Sequence, residues 1–219
     1  MMFQIFGHPF SSYTQKALIA LYEKEIAFEW RPLDPEHPDN GAELARRWPV
    51  ARFPLLVDGE RTIFEATSII EYLDAAHPDI VRLIPSDAFA AIEVRMLDRV
   101  FDNYVMTPMQ RIVGDALRPA AAKDSFGVSR ARAMLDTIYL WLDRRMADRA
   151  WAAADDFTLA DCAAAPALFY ADWAHPIPDR LTALQNYRAR LLGRSSFARC
   201  IEGARQYRSL FPLGAPDRD

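Results

Sequence analysis

Cysteine is scarce: the 219 residues hold two, Cys162 and Cys200, both late in the chain and in helix-like apolar surroundings. A disulfide framework and a Cys-x-x-Cys redox pair are thereby excluded, and both read as small buried hydrophobes. The four histidines, His8, His37, His77 and His175, are scattered without the spacing of metal ligands. A phosphate-binding glycine loop is also missing. Charge is nearly balanced, with a net of −4 and no run of Lys or Arg, which leaves nucleic acid and anionic membranes little to hold. Nowhere do about 18 uncharged apolar residues run together, and the opening MMFQIFGHPF lacks the basic start and apolar core of a signal peptide. A cytoplasmic protein is expected.

What is present suits a packed fold, with 51% hydrophobic residues in a chain of this length. Met2–Phe6 is an apolar run stopped by Gly7, His8 and Pro9, as a buried strand would be. Tyr13–Glu25 carries Ala17, Leu18, Leu21 and Tyr22 at helical spacing, with Ser11 or Ser12 able to cap its free amides. Ala27–Arg31 alternates like a half-buried strand, and Pro32–Gly41 reads as a polar loop. Arg52–Val57 then predicts a strand, Asp58-Gly59 a tight hairpin turn, and Thr62–Phe64 the partner strand. Thr67–His77 predicts a helix ended by Pro78. After Pro85 every segment has helical period: Ala88–Ile112, Ser129–Arg149, Leu159–Tyr170, Leu181–Leu191 and Phe197–Tyr207. The expected fold is therefore an α/β N-terminal domain over residues 1–80, a linker over 81–87, and an all-α domain over 88–219.

In this order and spacing, three motifs resemble the cytosolic glutathione transferase superfamily over essentially the whole chain. SSYTQKALIAL from Ser11 to Leu21 is similar to the serine-type members, zeta and tau classes included. RFPLLV from Arg52 to Val57, with FEATSIIEYL from Phe64 to Leu73, resembles the family's cis-proline and glutamate-serine signature. FTLADCAAAPAL from Phe157 to Leu168 resembles the buried helix of its C-terminal domain. Thr158 and Asp161 have the spacing of a capping box, which assigns that motif to folding.

The resemblance implies a thioredoxin-like N-terminal domain that binds glutathione and a helical domain that holds a small hydrophobic electrophile. Such an enzyme stabilises glutathione's thiolate, the attacking species, for detoxifying conjugation or isomerisation. The catalytic serine falls on Ser11, at a loop-to-helix junction whose positive end favours an anion, with Ser12 and Tyr13 as neighbouring alternatives. Phe53 and Pro54 would pair with the tripeptide's main chain. Glu65 and Ala66 would meet its γ-glutamyl group, although the family usually has Ser at the second of these. Thr67 is expected to supply part of what Ala66 lacks. Arg52 and, from the preceding loop, His37 are candidates for the glycyl carboxylate. Phe101, Tyr104, Met106 and Met109 are expected around the electrophile, Tyr104 first among them. A homodimer is implied, one subunit's N-terminal domain against the other's helical domain.

Two other functions fit less well. Thiol reduction of the cysteine-type relatives needs a cysteine near residues 8–13, where none stands. A non-catalytic binding or regulatory protein on the same scaffold is kept open by Ala66. A maleylacetoacetate-type isomerase is a narrower option within the transferase reading, disfavoured by Tyr13 at that class's companion cysteine position.

Overall fold

A computed structural model describes residues 2–219. β1 (Phe3–Gly7), α1 (Ser12–Glu23) and β2 (Phe28–Pro32) form a parallel β-α-β unit. After α2 (Pro38–Arg47) come β3 (Leu55–Asp58) and β4 (Arg61–Phe64), an antiparallel hairpin, and then α3 (Ala66–Ala76). The sheet order is β2-β1-β3-β4. This is the thioredoxin-like arrangement expected, and it follows from the apolar runs of β1 and β3, buried at the sheet's centre, and from Gly59, whose φ of 57° lets the hairpin turn in two residues.

One sequence expectation fails here. Residues 38–47, of which the first four fall in the expected polar loop, form α2. Pro38 opens it at a position needing no N–H, Glu43 pairs with Arg46 and Arg47, and only Leu44 is an apolar anchor, packed on Phe6, Leu55 and Val57. A helix held by one leucine shows too little apolar period to be read as one.

No helix or strand occurs over 77–87. Beyond it lie α4 (Ala88–Val100), a π turn (Phe101–Met106), α5 (Thr107–Ala116), α6 (Ser125–Met146), α7 (Leu159–Ala174), α8 (Thr182–Leu192) and α9 (Ser195–Ala204), followed by a 3-10 segment, Arg205–Leu210. The expected single helix from Ala88 is thus interrupted. Pro108 has no N–H for the Tyr104 carbonyl, and the Asp102 carbonyl accepts the Thr107 N–H five residues on, with the Thr107 hydroxyl donating to the same carbonyl at 2.9 Å. α7 is buried on all sides. Its first turn is fixed by Asp161, which accepts from the Thr158 and Ala152 amides at 2.9 Å each and from the Tyr187 hydroxyl at 2.6 Å. One apolar core runs from β1, α1 and α3 into α4, α7 and α9, so the sheet unit and the helices share their packing.

Candidate active site

The sheet register gathers the site. Phe6 lies opposite Leu55, and Leu55 opposite Phe64. The loop after β1, the residues before β3 and the residue after β4 therefore meet at one end of the sheet. Those are His8–Ser11, Phe53–Pro54 and Glu65, and the Phe53–Pro54 bond is cis, as the motif implied.

Ser11 is the N-cap of α1. Its Oγ accepts the Thr14 N–H at 3.3 Å and its own N–H donates to the His8 carbonyl at 2.9 Å. No acceptor among the described residues takes the hydroxyl proton, so capping leaves it available to an anion at the helix's positive end. Ser12 is buried in the first turn. The Tyr13 hydroxyl is held in its protonated form, its pKa pushed up to about 12 by burial, then by the carboxylates of Asp102 and Glu65, against the opposing pull of Arg99. Tyr13 thus faces the acidic side of the site.

Glu65 caps α3 with φ at 69° and without a side-chain bond to the helix amides, which leaves the first turn's N–H groups unfilled. Ala66 is buried. Thr67 does not stand in for the missing serine hydroxyl. Its Oγ1 accepts from Lys16 Nζ at 2.9 Å and from Arg99, and donates to Asp98 at 3.0 Å, so only its backbone N–H faces the free turn.

The residues around Thr67 went unread in the sequence. Lys16 on α1 is almost wholly buried and is shared by Asp98 and Asp102, the latter at 2.8 Å. Arg99 closes the cluster against both aspartates. Burial pushes the Asp102 carboxyl above its ordinary value while Lys16 pulls it down, and its Oδ1 has no partner. The one available signal was a lysine on an otherwise apolar helix and two aspartates four residues apart, Asp98 and Asp102.

The other expected residues are dispersed. Arg52 is exposed, and His37 is tied to Asp34 at 2.7 Å. Phe101 (0% exposed) and Met109 (4%) are packed in the core with Met106, so they do not line an open electrophile pocket; Tyr104, at 47%, is the accessible one. Phe101 opens the π turn and Met109 follows it in α5, where a straight-helix reading misplaces the inward face. On the loop after β1, His8 meets Tyr207 edge to face at 4.6 Å, and Phe10 packs on Tyr170 and Trp173. A groove of about 920 Å³ between α1, β2 and α9 is lined by Tyr22, Trp30 and Arg199 and by none of the expected site residues.

Comparison with known proteins agrees with this geometry. A family model described as "Glutathione S-transferase, N-terminal domain" matches residues 5–80, and one described as "Glutathione S-transferase, C-terminal domain" matches residues 125–190. The chain belongs to the glutathione S-transferase family. This membership makes it a transferase by class, with glutathione as cosubstrate. It is similar to a stringent starvation protein A homolog of Coxiella burnetii, 27% identical, with 88% of each chain covered. Glutathione S-transferase F7 of Arabidopsis thaliana is 27% identical, covering 76% of this chain and 82% of that one. A solved glutathione S-transferase of Methylobacterium radiotolerans, in complex with glutathione sulfonate, is 26% identical with a TM-score of 0.79, covering 92% and 95%. Among the described residues no helix is long and apolar enough to cross a membrane.

Proposed function

We propose that this family member activates glutathione as thiolate through Ser11 and conjugates it to, or isomerises, a small hydrophobic electrophile. The observation that carries the reading is the Ser11 hydroxyl, its proton uncommitted at the head of α1, on the sheet end shared by Phe53, Pro54 and Glu65. In this serine-type reading the Phe53 backbone pairs with the cysteinyl unit, the first amides of α3 take the γ-glutamyl carboxylate and Glu65 takes its ammonium. Arg52 remains the candidate for the glycyl carboxylate. Residues 1–80 hold the tripeptide, 81–87 connect, and 88–219 supply the electrophile's surroundings, Tyr104 among them. A detoxifying role in the cytoplasm accords with such an activity.

The direct test is a pH titration of glutathione's ultraviolet thiolate absorbance in the complex. Ionisation one to two units below the free thiol, about 8.5 for a cysteine, is the expected outcome. A second reading, a binding or regulatory protein without catalysis, is favoured by Ala66 and by the committed Thr67 hydroxyl. Tight binding with an unshifted thiol would establish that reading instead.

A homodimer is supported by the exposed stripe Phe89, Ile92 and Met96 on α4, spaced to share one face, together with exposed Phe53 and Phe64 on the sheet unit. Ile92→Glu is expected to convert a two-chain species into one chain by sedimentation. A wild-type protein sedimenting as a single chain would remove the dimer from the proposal.

A further inference from the structure

The loop that carries Ser11 presents a second group able to act on substrate. His8 stands three residues before Ser11, joined to it by the Ser11 N–H to His8 carbonyl bond of 2.9 Å, so the ring and the hydroxyl belong to one turn. The Phe10 amide donates to His8 Nδ1 at 3.2 Å. A nitrogen that accepts an N–H carries no proton, so neutral His8 is protonated at Nε2. Burial, opposed by Asp34, lowers the pKa of the ring, which keeps it neutral at pH 7 and the tautomer singular. Among the described residues nothing accepts from Nε2, and the ring is half-buried between Tyr207 and the loop, beside Phe10. The result is one fixed N–H donor, uncommitted, packed on Tyr207 and carried by the same turn as Ser11.

We infer that His8 is a further catalytic residue, which donates its Nε2–H as a hydrogen bond to the oxygen of a conjugated carbonyl electrophile. The inference rests on the reading of Ser11 as the thiolate's partner. The thiolate forms a C–S bond at the β-carbon, the C=C pair moves to the α-carbon–carbonyl bond, and the carbonyl pair moves to oxygen. His8 keeps its proton and stabilises that enolate. Solvent water then protonates the α-carbon, which balances the proton released when the thiol ionised. An electrophile that develops no charge on oxygen, such as a benzylic halide, gains nothing from this donor. The substrate class so selected is the α,β-unsaturated aldehyde or ketone.

His8→Phe keeps an aromatic ring against Tyr207 and removes the donor. Cinnamaldehyde and benzyl chloride are the probes, with the full-length chain and saturating glutathione. Removal of one such donor costs on the order of 10²-fold in kcat, so the cinnamaldehyde kcat is expected to fall by that factor while benzyl chloride changes less than about two-fold and the bound thiol titrates as before. Parallel losses on both substrates would mean that the ring only packs, and would overturn the inference. So would an unchanged cinnamaldehyde rate, or a wild-type protein that does not turn cinnamaldehyde over. Failure of the Ser11 reading is recognised separately, by a wild-type thiol that stays unacidified in the titration.

Discussion

Ser11→Ala is expected to raise the pKa of the bound glutathione thiol by one to two units and to lower kcat/KM at neutral pH by about 10- to 100-fold. A hydrogen bond to a charged group contributes about 1.5–3 kcal/mol, and one pKa unit corresponds to about 1.4 kcal/mol, which sets that range. Because Ser11 also caps α1 through the Thr14 amide, the variant should lose about 1 kcal/mol of stability as well. The two losses separate in Ser11→Thr, which keeps hydroxyl and cap and is expected to recover most of both. Ser12→Ala and Tyr13→Phe should leave the thiol acid, since Ser12 is buried in the helix and the Tyr13 hydroxyl lies in the field of the Asp102 and Glu65 carboxylates, which disfavours a further anion beside it. A thiol unmoved in Ser11→Ala but shifted in either of these would transfer the role to the other residue.

The elements that were legible are those whose cause is local. Gly7, His8 and Pro9 end β1 where the sequence stops being apolar, Gly59 marks the hairpin, whose turn residues are Gly59 and Glu60 and not the expected Asp58 and Gly59, and Thr158 with Asp161 starts α7. Ser11, Phe53, Pro54 and Glu65 were readable because short motifs carry them, and the register then brings them to one sheet end. What escaped has distant causes. Thr67 looked free until α1 and α4 packed on it, bringing Lys16 from 51 residues away and Asp98 from 31. Phe101 and Met109 looked like pocket residues on a helix taken as straight, whereas the helix passes through a π turn at Phe101–Met106 and both lie in the core. The helix α2 hides behind a single buried leucine.

Lys16→Met is the change expected to damage the fold most. The ammonium joins α1 of the sheet unit to Asp98 on α4 and Asp102 on the π turn, with side-chain exposure of 1% for Lys16 and Asp98 and 12% for Asp102. Methionine fills the stem's volume but leaves two buried carboxylates facing one half-exposed Arg99. Loss of one partner of a buried ion pair costs about 3–5 kcal/mol, and a urea midpoint shift of that size is expected. The double variant Lys16→Met with Asp98→Asn, one carboxylate fewer, should recover part of it. The pH dependence has a definite sign. The folded Asp102 carboxyl lies above its unfolded value of 3.8 because of burial, and Lys16 opposes that rise. A carboxyl whose pKa is raised by folding stabilises the protein below its unfolded pKa, and that contribution is lost as pH rises through the folded value. Without Lys16 the folded value climbs further, so Lys16→Met should be closest to wild type in acid and fall away from it toward neutral pH. Since the same lysine holds the Thr67 hydroxyl behind the first turn of α3, the KM for glutathione should rise along with the loss of stability. A variant with wild-type stability at neutral pH would show that apolar packing alone fixes the sheet unit to the helices.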